Sequence, residues 1–176
     1  MTPSDGVSRT ELDDSWKHLQ QVNDMVRYAD AKAGFVLTLN GVLVGLIAVR
    51  IQTGGFFRAH PGPAAALLLA MALLTVSVVL DIAAVMPRLS PAGKRSSLLH
   101  FDHIGERFAG RQTDYVDEFA GLFGDSARLQ REIAAQVWAN SMVARRKYQL
   151  IQAGLSFMAG ALGAAAFAGI VGAFGG

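Results

Sequence analysis

The chain has 176 residues, 52% of them hydrophobic and 17% charged, with a formal net charge of +2 and no cysteine. A mean hydropathy of +0.32 implies more apolar surface than water tolerates on one soluble domain. The mild positive charge gives no argument for nucleic acid, and the lack of cysteine removes disulfides and thiol chemistry from consideration.

Residues 1–10 form a Ser-, Gly- and Pro-containing tail of disordered character. Residues 1–21 are polar and acidic, so no cleavable leader is expected and the first apolar span acts as its own insertion signal. Thr10 reads as the N-cap of the first helix, with Asp13 standing in for the acidic member of a capping box. Leu12, Trp16, Leu19, Val22 or Asn23, Val26, Ala29 and Ala33 then recur at three- and four-residue steps, giving an amphipathic stalk over residues 11–32. Without Pro or any other breaker, the same helix continues into an apolar stretch at 33–50. That stretch is long enough to span a bilayer if Lys32 and Arg50 snorkel to opposite interfaces. A buried helix of a soluble bundle is the alternative, and two further apolar runs argue against it.

Residues 51–63 read as a periplasmic turn carrying Phe56 and Phe57, and residues 64–86 as a second span stopped by Pro87. Residues 87–149 are the one sizeable polar region, opening with a loop rich in Pro, Gly and Ser. A short apolar run at 98–104 follows, then a helix over 114–123 with Thr113 as cap and Gly124 as stop. A second long helix begins at Asp125 or Ser126, passes Arg145, Arg146 and Lys147, and enters a third span at 150–174. The expected fold is an all-α membrane protein. It has three transmembrane helices, two of them extended into the cytosol as stalks, and a small helical cytosolic insert.

Arg27, Lys32, Arg88, Lys94, Arg95, Arg145, Arg146 and Lys147 lie on one side of these spans, against Arg50 and Arg58 on the other. The richer side is the cytoplasm, which places the N-terminus and the polar region inside.

Few residues invite chemistry. Asp81 lies inside the second span, where a charge is costly unless paired; a salt bridge to Lys32 and a place in a pore or relay are the two readings. Asp30, Lys32 and Asp81 are expected to form a charged cluster at the cytoplasmic membrane boundary. Asn40, in mid-span, fits an interhelical hydrogen bond better than an ion ligand. His100, Asp102 and His103 follow no standard zinc spacing, so no metal is expected. Nucleotide-binding glycine loops, nucleophile elbows and zincin motifs are absent, so no enzyme is expected. Small residues are more telling: Gly41 and Gly45 in the first span, and Ser156, Gly160, Ala164, Ala168 and Gly172 at four-residue steps in the third. Close approach through small residues is how spans associate in lipid, within one chain or between copies.

The YADAKAG run at 28–34 leads into the first span, LLHFDHI at 98–104 precedes the acidic TDYVDEF at 113–119, and ARRKYQLIQAG at 144–154 leads into the third span. Together these segments resemble the transmembrane effectors of bacterial Pycsar antiphage systems, over residues 16–169. Asp102-His103 departs from the family pattern, which has something closer to Gly-Asp there. The resemblance implies an inner-membrane effector that answers a cyclic pyrimidine mononucleotide, cyclic CMP or cyclic UMP, made by a neighbouring cyclase. It implies impairment of the membrane, so that the infected cell dies early. A constitutive scaffold binding a protein through its stalks is the alternative, and an adjacent transporter or secretion gene would favour it. For a cyclic mononucleotide, the polar region offers Lys94, Arg95, Arg107 and Arg111 as cations and His100, Phe101, His103 and Tyr115 for stacking or polar contacts. Lys94 and Arg95 equally suit anionic headgroups.

Overall fold

The computed structural model describes residues 8–52, 60–86 and 97–174. Among them the chain forms helices α1 (Arg9–Gln52), α2 (Pro61–Val85), α3 (Phe101–Arg107), α4 (Gln112–Phe123) and α5 (Ser126–Phe174), with no strand. Three of these helices are long and apolar enough to cross a membrane: α1, α2 and α5. The turn around Phe56 and Phe57 and the loop with Lys94 and Arg95 lie outside the described residues, as does the side chain of Phe101.

Local chemistry sets the helix ends. The capping box of α1 is Ser8 with Glu11, in place of the expected Thr10 with Asp13. The Glu11 backbone N–H donates to Ser8 Oγ at 3.2 Å, and the Ser8 N–H donates to Glu11 Oε2 at 2.8 Å. The longer Glu side chain spans the three-residue gap that the shorter Asp does not, and this reciprocity decides where the helix begins. Helix α2 carries proline in its first turn, where the missing N–H has no partner to lose. It ends at Met86, whose extended ψ of 123° is the conformation imposed on a residue preceding proline.

The run at 98–104, too short to assign from sequence, is a turn at 98–99 followed by the start of α3 at Phe101. Gly110, at φ +70°, supplies the left-handed turn towards α4. Helix α4 starts at Gln112, two residues ahead of the expected Asp114, with Arg111 in place of Thr113 at its N-cap and no side-chain cap, and closes at Gly124. Asp125 caps α5, its Oδ1 accepting the Arg128 N–H at 2.9 Å.

The chain divides into two compact units, and both α1 and α5 contribute to each. The first comprises Met1–Arg27 and Pro87–Ala144. Its core is built of large side chains: Leu19, Leu98, Phe108, Leu122, Leu129 and Ile133, with Leu12, Trp16, Tyr115 and Val137 packed against them. Each such side chain taken from water contributes roughly 1.5–3 kcal/mol, so this unit is stabilised as a soluble domain would be. Trp138 stays out of this core, 68% exposed. The amides at Asn23, Gln136 and Asn140 add a polar rung: Gln136 Nε2 donates to Asn140 Oδ1 at 3.0 Å, and Asn140 Nδ2 donates to Asn23 Oδ1 at 2.6 Å.

The second unit, Tyr28–Met86 with Arg145–Gly176, holds the apolar parts of α1, α2 and α5. Buried positions fall at Ala29, Ala33, Val36, Asn40 and Ile47 of α1 and at Ala64, Leu67, Ala70, Leu74, Ser77, Asp81 and Ala84 of α2. Steps of three and four residues place these on one face of each helix. Ile151, Ala161 and Ala168 of α5 complete the seam. Alanine dominates it, which lets the helix backbones approach closely. The outward faces carry Phe35, Leu46, Val49, Leu68, Leu69, Val79, Phe167 and Ile170. That surface is an aggregation hazard in water and an ordinary boundary in lipid.

Candidate functional site

Two places in the chain gather polar side chains, one in each unit. In the first unit, α3 and α4 bring Arg107, Arg111 and Tyr115 around Phe108. The Arg107 guanidinium carbon lies 4.9 Å and that of Arg111 5.9 Å from the Phe108 ring centroid. The Tyr115 ring meets Phe108 edge-on at 5.4 Å and continues through Phe119 into Phe123. Arg107 holds Glu118 at 2.7 Å, and Arg111 lies 3.8 Å from Asp114 while also donating to the Arg107 carbonyl. Five of the residues expected to bind a ligand thus fall in two groups: Arg107 and Arg111 beside Tyr115, and His100 with His103, whose rings lie 4.9 Å apart. His103 Nδ1 accepts the Ser97 N–H at 3.1 Å. Chemically, the arginine pair offers forked donors beside aromatic faces, with Glu118 hydrogen-bonded to Arg107 and Asp114 a looser ion pair to Arg111.

In the second unit the expected boundary cluster separates. Asp30 pairs with Lys147 of α5. Lys32 is exposed and sits over the Tyr148 ring, 5.3 Å from its centroid. Asp81 is fully buried and pairs with neither. Its Oδ2 accepts from Asn40 Nδ2 at 2.9 Å, and the same amide donates to Ser77 Oγ at 2.8 Å. Ser77 Oγ in turn donates to the Gly154 carbonyl at 2.9 Å, so α1, α2 and α5 are joined through one polar node. The salt bridge to Lys32 fails because Asp81 points inward with Ser77, one turn earlier on the same face, whereas Lys32 lies on the outer side of α1.

Ser77 and Gly154 were not singled out from the sequence. The signal for Ser77 was its i, i+4 spacing to Asp81, and that for Gly154 its place at the end of the QAG step into the third span. A Cβ on Gly154 would lie 2.8 Å from Asp81 Oδ1, so the node admits only glycine there without moving.

The small residues of α5 do not share one buried face within the chain. Ala168 is buried and Ala164 and Gly172 are half-buried, whereas Ser156 and Gly160 are exposed. Four-residue steps drift by about 40° each on a helix of 3.6 residues per turn, so five of them wind round the helix. Gly41 and Gly45 are exposed on α1, with open space around them.

The family model for the Pycsar effector protein domain, PycTM, matches residues 14–174. The chain belongs to the PycTM family. Its relatives include the Pycsar effector protein PtPycTM of Propioniciclava tarda, 32% identical over 161 residues, which cover 88% of this chain and 75% of the relative. Another is the Pycsar effector protein MePycTM of Micromonospora echinofusca, 39% identical over 47 residues, which cover 27% of this chain and 80% of the relative. No solved structure matches the chain significantly. The PycTM match runs through both units and all three apolar helices, and the chain is accordingly a membrane protein. Among the described residues no three His, Asp or Glu side chains gather as a metal site.

Proposed function

We propose that this protein is a membrane effector of an antiphage abortive-infection system, activated by cyclic CMP or cyclic UMP from a neighbouring cyclase, and that it impairs the inner membrane. The PycTM match over residues 14–174 carries this reading. The basic residues flanking the spans support a cytoplasmic N-terminus and a cytoplasmic polar unit. No catalytic step is assigned to it.

The ligand binds in the polar unit, where its phosphate replaces Glu118 and Asp114 on Arg107 and Arg111 and its base stacks on the aromatic faces beside them. Exchanging a carboxylate for a phosphate costs the two arginines no hydrogen bond, which makes the pair a switchable contact. Both α1 and α5 run unbroken from the polar residues into their apolar halves, so a ligand that favours one arrangement of the polar helices biases the spans. The exposed Gly41, Gly45, Ser156 and Gly160 provide faces on which copies of the chain assemble.

Dye release from liposomes carrying the protein tests this reading, with cyclic CMP, cyclic UMP and cyclic AMP at equal concentration. Leakage with a pyrimidine nucleotide and not with cyclic AMP is the expected result. Arg107→Ala with Arg111→Ala removes nucleotide binding, while Gly160→Leu or Ala164→Leu blocks leakage and self-association and spares binding. Leakage that ignores every nucleotide overturns the effector reading in favour of a constitutive scaffold.

A further inference from the structure

The polar node of the second unit is short of donors. Asn40 has two amide hydrogens, and both are spent, one on Ser77 Oγ and one on Asp81 Oδ2. The Ser77 hydroxyl hydrogen is spent on the Gly154 carbonyl. What remains is acceptors only: Asp81 Oδ1 and Asn40 Oδ1 are both buried without a hydrogen-bond partner, on residues that are 0% exposed. Turning the Asn40 amide over does not repair this, because its oxygen would then face the Asp81 carboxylate oxygen. The shortage is also one of charge. Asp81 has no basic side chain within ion-pair distance among the described residues, and Lys32 and Lys147 are engaged with Tyr148 and Asp30. A carboxylate buried among apolar helices is neutralised either by a proton or by a compensating positive charge.

We propose that Asp81 Oδ1 and Asn40 Oδ1 are ligands of a desolvated monovalent cation held between α1, α2 and α5. Two oxygen ligands, one from a carboxylate and one from an amide, form a hard donor set suited to an alkali cation. A single carboxylate neutralises a single positive charge. A divalent ion would leave net charge in an apolar surround, since Asp81 is the one buried acid among the described residues. Cation sites lie near the bilayer midplane in other membrane proteins, where oxygen ligands replace the hydration shell. Gly154 has a defined part: without a Cβ, which would lie 2.8 Å from Asp81 Oδ1, it lets the α5 backbone pack directly against the carboxylate.

The proposal is independent of nucleotide signalling and is tested without nucleotide. The purified full chain in detergent is exchanged into N-methylglucamine chloride and then titrated with sodium, potassium or choline chloride at constant ionic strength, with thermal unfolding as the readout. The expected result is a saturable rise in Tm with sodium, absent with choline and absent in Asp81→Asn, whose neutral amide needs no counter-charge. Binding of radiolabelled sodium at about one per chain, lost in Asp81→Asn and weakened in Asn40→Ala, is the second readout. Equal Tm in sodium and choline for the unaltered protein overturns the site even if neither variant folds. A sodium response that persists in Asp81→Asn overturns it as well.

Discussion

The two units bury different kinds of residue. In the polar unit the interior is Leu19, Leu98, Phe108, Leu122, Leu129 and Ile133, large side chains that a water-driven collapse rewards by area. Between the apolar halves of α1, α2 and α5 the interior sets Val36, Ile47, Leu67, Leu74 and Ile151 among small residues, Ala29, Ala33, Ala64, Ala70, Ala84, Ala161 and Ala168, together with Asn40, Ser77 and Asp81. Lipid tails are as apolar as leucine, so removing leucine from lipid gains little there. Close backbone approach and interhelical hydrogen bonds do the holding. One region is therefore sensitive to residues that shrink, and the other to residues that grow or lose a polar partner.

The largest effect is expected in the node. Asn40→Ala leaves Asp81 buried without its amide donor, at a cost of about 3 kcal/mol or more. The double change Asn40→Leu with Asp81→Leu removes both partners and is milder, read as monodisperse yield and Tm in detergent. A double variant worse than Asn40→Ala would mean that the node is not a coupled pair. The same comparison made on Lys32 with Asp81 gives plain additivity, because those two residues do not meet.

Next come the opposed size changes. Ile133→Ala and Leu122→Ala each cost about 2–4 kcal/mol by leaving a cavity in the polar unit. Ala70→Leu and Ala33→Leu cost about 1–3 kcal/mol by overpacking the spans. Limited proteolysis for the first pair and detergent thermal melts for the second separate the two. If Ala70→Leu is harmless, the small-residue seam is not what sets the helix spacing.

Smaller effects belong to the exposed charges and caps. Ser8→Ala removes half of the capping box and costs about 1 kcal/mol, visible as faster amide exchange in the first turn of α1. Arg107→Ala breaks a pair whose side chains are 41% and 38% exposed, which is worth less than about 1 kcal/mol. Loss of nucleotide affinity in that variant therefore reports on binding and not on unfolding, and this is the cleanest separation of the proposed ligand site from stability.

Much of this architecture was legible along the chain. The absence of proline from residue 9 to residue 52, the three- and four-residue apolar steps and the three apolar runs specify helices and which of them enter lipid. The capping box was misplaced by two residues because several Ser, Thr and acidic residues crowd the same stretch, and only the reach of Glu11 selects among them. The partner of Asp81 was not legible. Depth along neighbouring helices suggested Lys32, but rotation about the helix axis decides which side chains meet, and the sequence states that rotation only through the full set of buried positions. For the same reason the Gly160 face was read as straight when it winds. The gathering of Arg107, Arg111 and Tyr115 depends on the turn at Gly110, a geometry that residue types on α3 and α4 do not by themselves declare.

The chain's two tryptophans, Trp16 and Trp138, both belong to the polar unit, one packed against its core and the other largely in solvent. No indole lies in the apolar unit, so ultraviolet emission excited at the red edge observes the polar helices alone, free of background from the spans. The two emitters also differ in their access to aqueous quenchers: iodide reaches the exposed Trp138 more readily than the half-buried Trp16. The protein thus carries its own optical reporter, and a nucleotide added to the unlabelled chain in liposomes can be followed from the blue, quencher-resistant component while the leakage of the same vesicles is recorded in parallel.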